Sequence, residues 1–158
     1  MEAVRAATVE DAGRLGELSA EFLRGITSTR GGSLLVDPAG GSSGDTGQAR
    51  RLPELLGSDE WLVLVGTIDD AVVGFALCHL DDLGGHGRRG ILDACFVEDR
   101  ARGVGVGRLL LDTAMVWLEE HGCNGVDGIA LPGDRGAKNF FESAGFKARM
   151  LTMYRELH

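Results

Sequence analysis

The segment Val97-Glu98-Asp99-Arg100-Ala101-Arg102-Gly103-Val104-Gly105-Val106-Gly107-Arg108 constrains this chain more than any other. A strand ends, glycines alternate with other residues, and a helix begins. A helix start leaves its first N–H groups without intrahelical partners, at the positive end of the helix dipole. Glycines let a bulky anion approach those amides, and Arg102 and Arg108 add charge. The junction is therefore a candidate cradle for a diphosphate. The same glycines also suit a tight turn that holds no ligand. Spacing narrows the choice. A P-loop needs G-x-x-x-x-G-K-[ST], and the sequence contains no Gly-Lys pair. A dinucleotide fingerprint needs G-x-G-x-x-G, and the position three after Gly105 is Arg108. What stands here is R-x-x-G-x-G, from Arg102 to Gly107.

The flanking patterns alternate strand and helix. Val4-Arg5-Ala6 predicts a short first strand. Thr8 to Asp11 resembles a capping box, and Leu15, Leu18, Phe22 and Leu23 extend it into a helix from about Thr8 to Phe22. Gly25 to Gln48 is rich in Gly, Ser and Thr, and Gly40-Gly41-Ser42-Ser43-Gly44 predicts a mobile loop or lid. Ala49 to Leu56 suits a short helix with Pro53 in its first turn. Trp61 to Val65 and Ala71 to Leu80 are the arms of a hairpin turned by Asp69-Asp70. Asp81 to Arg89 is a glycine-rich loop, and Ile91 to Val97 a further strand. Val106, Leu109, Leu110, Ala114, Trp117 and Leu118 mark an amphipathic helix ending before Gly122. Val126 to Leu131 predicts a strand, Ala137 to Ala144 a helix stopped by Gly145, and Phe146 to Leu157 a last strand or strand pair. The whole is a mixed α/β domain without internal repeats, and 158 residues suit one domain.

Composition sets outer bounds. Glycine supplies 25 of the 158 residues, against a usual share of about 7%. The net charge of −8 argues against nucleic acid, whose phosphates need a basic face, and either favours a cationic or amine substrate or serves solubility alone. Cys78, Cys95 and Cys123 form no C-x-x-C pair, so neither a disulfide framework nor a metal site is expected. No apolar run spans a membrane and no secretory pattern opens the chain, so a cytoplasmic location is expected.

The Arg102–Gly107 loop between a strand and a long helix resembles the acyl-CoA pyrophosphate loop of the GNAT (Gcn5-related N-acetyltransferase) superfamily. The family's later helix has the form N-x-x-A-x-x-x-Y-E-x-x-G-F. The stretch from Asp134 to Phe146 is similar to it at Ala137, Glu142, Gly145 and Phe146. It departs where Asp134 replaces Asn and Phe141 replaces Tyr. The resemblance runs from the first strand to the last and is weakest over residues 25–58, which vary with the acceptor in the family. It implies a GNAT fold: a central, mostly antiparallel twisted sheet flanked by helices and splayed between strands 4 and 5.

The resemblance also implies acetyl-CoA as co-substrate and direct acetyl transfer to a primary amine of a small molecule or peptide, without an acyl-enzyme. Amides of Gly103, Val104, Gly105, Val106, Gly107 and Arg108 would hold the pyrophosphate. Those near Phe96 and Val97 would hold pantetheine and polarise the thioester carbonyl. Asp134, Asn139 and Phe141 are further cofactor contacts by position, and Lys138 can meet a nucleotide phosphate. The family's usual acid is the tyrosine replaced by Phe141. Tyr154, on the expected last strand, and Cys95 are the remaining candidates near the sulfur. For the base, Asp93 leads. On a regular strand Ile91, Asp93, Cys95 and Val97 share one face, with Glu98 turned to solvent. A salt bridge from Asp93 to Arg88 or Arg89 is the plainer alternative. His79 and His86 can relay protons or simply lie at the surface. Arg30-Gly31-Gly32 can close over an acceptor. The family also admits homodimers. A catalytically inactive acyl-CoA sensor remains the second functional class, because of Phe141.

Overall fold

A computed structural model of the protein describes residues 1–36, 49 and 51–158. The glycine-serine run 40–44, read as a mobile loop, lies outside the described residues. β1 (Glu2–Ala6) leads through a 3-10 turn (Val9–Asp11) into α1 (Ala12–Ser28), followed by α2 (Gly32–Val36) and α3 (Leu52–Leu55). β2 (Trp61–Ile68), β3 (Ala71–Asp82) and β4 (Arg88–Val97) form a meander, then α4 (Val106–Glu120), β5 (Cys123–Gly128) and α5 (Arg135–Ser143) complete the order. The sheet runs β1-β2-β3-β4-β5, antiparallel except for the parallel β4–β5 pair.

Two apolar layers cover the sheet. Leu15, Leu18 and Leu23 of α1, with Leu52 and Leu55 of α3, pack on Val63, Val65, Phe75, Leu77 and Ala94. Val106, Leu110, Leu111, Ala114 and Leu118 of α4 pack on Leu64, Ala76, Cys78 and Leu92 of the opposite face. Alternation along β2 and β3 supplies both layers from the same strands, the pattern of a sheet buried on both sides. No helix among the described residues is long and apolar enough to cross a membrane.

Several expected boundaries move. α1 continues past Phe22 to Ser28, because Thr27 donates to the Leu23 carbonyl at 2.8 Å and Ser28 to that of Gly25 at 3.0 Å. With α2 this removes residues 25–28 and 32–36 from the expected loop. The helix expected at Ala49–Leu56 shrinks to Leu52–Leu55, with Pro53 in its first turn. The hairpin turn forms as expected, with Asp69 (φ 48°) and Asp70 (φ 70°) left-handed. β3 and β4 run further than expected, through the ion pairs Arg88–Asp82 (2.8 Å) and Arg89–Asp81 (2.7 Å). β5 begins at Cys123 and stops at Gly128, three residues earlier than expected at each end, where its parallel ladder with β4 stops. In α4, Leu111 is buried while Leu109 is 40% exposed.

The last strand expected over Phe146–Leu157 does not form. Residues 147–158 are exposed and outside the sheet. Met150 and Leu151 are adjacent, as are Met153 and Tyr154, so neither face of an extended segment would be apolar.

The start of α1 is tied back to β1. The Asp11 carboxylate accepts from the Thr8 amide at 2.8 Å and from both terminal nitrogens of Arg5 at 2.8 and 2.9 Å. These donors hold its carboxyl below the usual range, at about 2. A depressed folded pKa stabilises above the ordinary value of 3.8 and is lost as pH falls through about 2. Asp11→Ala is expected to cost about 1–2 kcal/mol at neutral pH. Denaturant unfolding should show that gap narrowing below about pH 4 and closing near pH 2. An undiminished gap in acid would remove the ion pair as its source.

Candidate active site

β4 keeps its two neighbours to unequal depth. It pairs with β3 from Asp82↔Arg88 to Gly74↔Val97. It pairs with β5 only from Arg88↔Cys123 to Leu92↔Gly128. From Asp93 onward its outer edge faces a fork. The Glu98 amide donates to the Val73 carbonyl at 2.9 Å. Alternation then turns the Phe96 amide toward β3 and those of Cys95 and Val97 into the fork. The Val97 carbonyl points the same way, accepting from Arg102 Nε at 2.9 Å. The fork-facing amides are therefore those of Cys95 and Val97. Phe96 instead packs its ring against Phe22 and Phe75.

At the open end of the fork the chain makes a 3-10 turn (Asp99–Ala101), passes Gly103 (φ 87°) and Gly105 (φ 98°), and enters α4. Only glycine adopts such angles without strain. Val106 is buried in a notch left by Gly66, where an added Cβ would stand 2.4 Å from Val106 Cγ1. That contact pins the first turn of α4 to β2. The amides of Gly105, Val106, Gly107 and Arg108 donate to no acceptor among the described residues. A Cβ added at Gly103 or Gly105 would meet nothing within 4 Å, so the space over the loop is open. Val104 is half exposed. Arg102 braces the turn through Val97 and Asp99 (2.8 Å), with its guanidinium 5.7 Å from the Phe96 ring centroid. Arg108 pairs with Asp112 at 3.0 Å. Unsatisfied amides and open space fit a diphosphate.

α5 closes the other side. Asp134 caps this helix, accepting from the Ala137 amide at 3.0 Å, so its carboxylate already has a structural partner. Asn139 is exposed, and Lys138 pairs with Glu142 at 3.3 Å. Phe140 flanks Gly107, 3.6 Å from where a Cβ would stand. Phe141 lies over Gly128, which has no room for a Cβ: one would sit 2.7 Å from the ring. The ring therefore covers the root of the fork.

Asp93 departs from the expected geometry. The β3–β4 register shifts between Leu77↔Ala94 and Cys78↔Leu92, leaving Asp93 without an opposite residue. This bulge breaks the alternation. Cys95 and Val97 stay in the α4 layer, while Asp93 turns to His79, whose stacking partner Trp61 packs on the α1 layer. Its carboxylate, with the side chain fully buried, meets His79 Nδ1 at 2.7 Å. His79 is 23% exposed and stacks on Trp61, ring centroids 4.3 Å apart. The alternative partners are engaged elsewhere, Arg88 with Asp82 and Arg89 with Asp81 and Asp127. Glu98, expected in solvent, is half-buried and bound to Arg14 of α1 at 2.8 Å.

Other candidates are dispersed. Tyr154 is 82% exposed on the irregular C-terminal segment, so no strand carries it to the fork. His86 is exposed in the 3-10 turn Gly84–His86, and Arg30 is exposed at the α1–α2 turn. Cys95 Sγ lies 3.8 Å from the Gly107 carbonyl, and burial pushes its thiol up to about 12.

The sequence profile of the acetyltransferase (GNAT) family matches residues 33–146. No curated protein matches the chain. Solved structures do. A mutant of the Bacillus halodurans protein BH1408 is 19% identical with a TM-score of 0.79, covering 99% of both chains. An aminoglycoside N-acetyltransferase in complex with CoA is 16% identical with a TM-score of 0.74, over 99% of this chain and 95% of that one. Glucosamine-6-phosphate N-acetyltransferase from Arabidopsis thaliana is 20% identical with a TM-score of 0.67, over 100% of this chain and 99% of that one. The mixed α/β fold with its mostly antiparallel sheet is shared with the two named acetyltransferases, and the family profile spans the fork, the glycine loop and α5. The chain belongs to the acetyltransferase (GNAT) family.

Proposed function

We propose that the protein is an acetyl-CoA-dependent N-acetyltransferase, moving acetyl directly to a primary amine of a small molecule or peptide. One observation carries this reading: the unsatisfied amides of Gly105 to Arg108 border open space at the mouth of the β4–β5 fork. In this reading all 158 residues serve one catalytic domain. Acetyl-CoA, when bound, supplies an acyl group activated as a thioester. The loop from Gly103 to Arg108 would hold its diphosphate. The amides of Cys95 and Val97 would orient the arm along β4 and polarise the carbonyl. Fixing both reactants side by side removes much of the entropic barrier.

Direct transfer suits the cysteines. Only a thiolate attacks a thioester well, and burial raises Cys78 and Cys95 to about 12. The net charge of −8 draws cationic acceptors by long-range attraction. The named relatives act on an aminoglycoside and on glucosamine 6-phosphate, and those amines open the panel of acceptors to try. Phe141 favours a second reading, a sensor that binds acyl-CoA without turnover, because its ring has no proton to give.

Incubation with acetyl-CoA and a panel of aminoglycosides, glucosamine 6-phosphate, polyamines and peptide N-termini should release free thiol with at least one acceptor. Tight acetyl-CoA binding with no release from any of them would favour the sensor. Gly105→Val strains a left-handed residue and fills the space over the amides. Calorimetry should show acetyl-CoA binding weakened more than about tenfold, an effect of at least about 1.4 kcal/mol. Normal binding by that variant would displace the cradle from this loop. Iodoacetamide at pH 8 should label Cys123, at the start of β5, before Cys78 and Cys95, whose thiols burial pushes up to about 12. Early labelling of Cys95 would reopen a covalent route.

A further inference from the structure

We propose that His79 is the group that takes the acceptor's proton, and that the buried Asp93 beside it, at the bulge where β4 leaves β5, positions it for that step. The inference rests on the acetyltransferase reading and adds a residue to it. Asp93 alone is poorly placed as a base, because its side chain is fully buried. His79 reaches solvent, with 23% of its side chain exposed. An ionised carboxylate only accepts hydrogen bonds. With Asp93 ionised, Nδ1 donates across the 2.7 Å contact and the lone pair stands on Nε2. Trp61, directly across the β2–β3 ladder, stacks on the imidazole and restrains its rotation. A buried carboxylate holding one nitrogen of a partly exposed imidazole is the arrangement of a proton acceptor.

The position agrees with the chemistry. The fork-facing amides of Cys95 and Val97 and the glycine loop lie on the C-terminal side of Asp93. A cofactor arm entering along β4 from that loop ends near the root of the fork, where the ladder with β5 stops at Leu92. His79, opposite Ile91, lies just beyond that root.

The step balances. His79 Nε2 takes one proton from the acceptor's ammonium, and the freed lone pair forms the N–C bond as the C–S bond breaks. The second proton on nitrogen goes to the departing sulfur, and the imidazolium, stabilised by Asp93, returns its proton to water. The products are the amide and the free thiol of CoA.

The test uses the full chain and the best acceptor from the thiol-release panel. His79→Gln should lower kcat by about a hundredfold or more, with KM for the amine and calorimetric binding of acetyl-CoA changed less than about threefold. Asp93→Asn should lower kcat in the same direction, again with KM nearly unchanged. Nitrogen-15 NMR of the wild-type protein should show neutral His79 protonated at Nδ1, and Asp93→Asn should depopulate that form. Wild-type kcat in His79→Gln overturns the assignment while leaving acetyl transfer intact. A wild-type His79 protonated at Nε2 overturns it whatever the variants do, including any that fail to fold. A wild type that turns over no amine overturns acetyl transfer itself, and this assignment with it.

Discussion

β4 belongs wholly to β3 and only in part to β5, and the site depends on that inequality. A strand whose outer edge loses its partner halfway leaves amides that must find water or a ligand. Here the parting is enforced from both sides. Beyond Gly128, β5 gives way to the turn through Pro132 and Gly133 that leads to α5, and the Phe141 ring occupies the space over Gly128. On the other side, Val97 continues into a turn held by Arg102 and by the Glu98–Arg14 ion pair. The open edge is built by packing outside the fork.

The same holds for the helix start. Nothing in the loop caps α4; its N-cap is Gly105, which has no side chain to offer. The helix is held by Val106 in the Gly66 notch and by Leu110, Leu111, Ala114 and Leu118 beneath it. Apolar burial, at about 25 cal/mol per Å², thus fixes donors that no protein acceptor uses. Donors held in place before a ligand arrives need no reorganisation when it binds. The bulge at Asp93 then divides the labour between the two faces of the sheet. Cys95 and Val97 stay with α4 and the loop, while Asp93 and His79 form a separate polar pair.

The parts legible in the sequence are those governed by short-range pattern. Left-handed glycines before an amphipathic helix, the Asp69-Asp70 turn and the run of strands each follow from local chemistry. The strand face of Asp93 was not legible, because one extra residue in β4 shifts every side chain beyond it. Pairing Asp81 with Arg89 and Asp82 with Arg88 sets one register from charge alone, while the structure joins Gly74 to Val97 in another, and the two differ by one residue. That mismatch requires a bulge between them, and the first register brings His79 opposite Ile91, close to Asp93. The Glu98–Arg14 pair joins residues 84 positions apart, which no local pattern encodes. The C-terminal segment misled for the opposite reason. It carries apolar residues in adjacent pairs, so they do not alternate.

The aromatic at 141 and the polar pair on β3–β4 form one energetic argument. At pH 7 an alkylammonium with a pKa of about 10.4 costs on the order of 5 kcal/mol to deprotonate. A thiolate whose acid has a pKa of about 8.5 is left on the order of 2 kcal/mol from neutrality. Losing a base therefore harms amine acetylation more than losing an acid. In the proposed reaction Phe141 would forgo a proton donor where the departing sulfur needs one least, while its ring covers the root of the fork. The bulge places a carboxylate inside the sheet, a costly choice for stability alone, beside the one histidine that shares its hydrogen bond. Under the proposed acetyl transfer, a barrier set by removal of a proton from nitrogen would account for both choices at once.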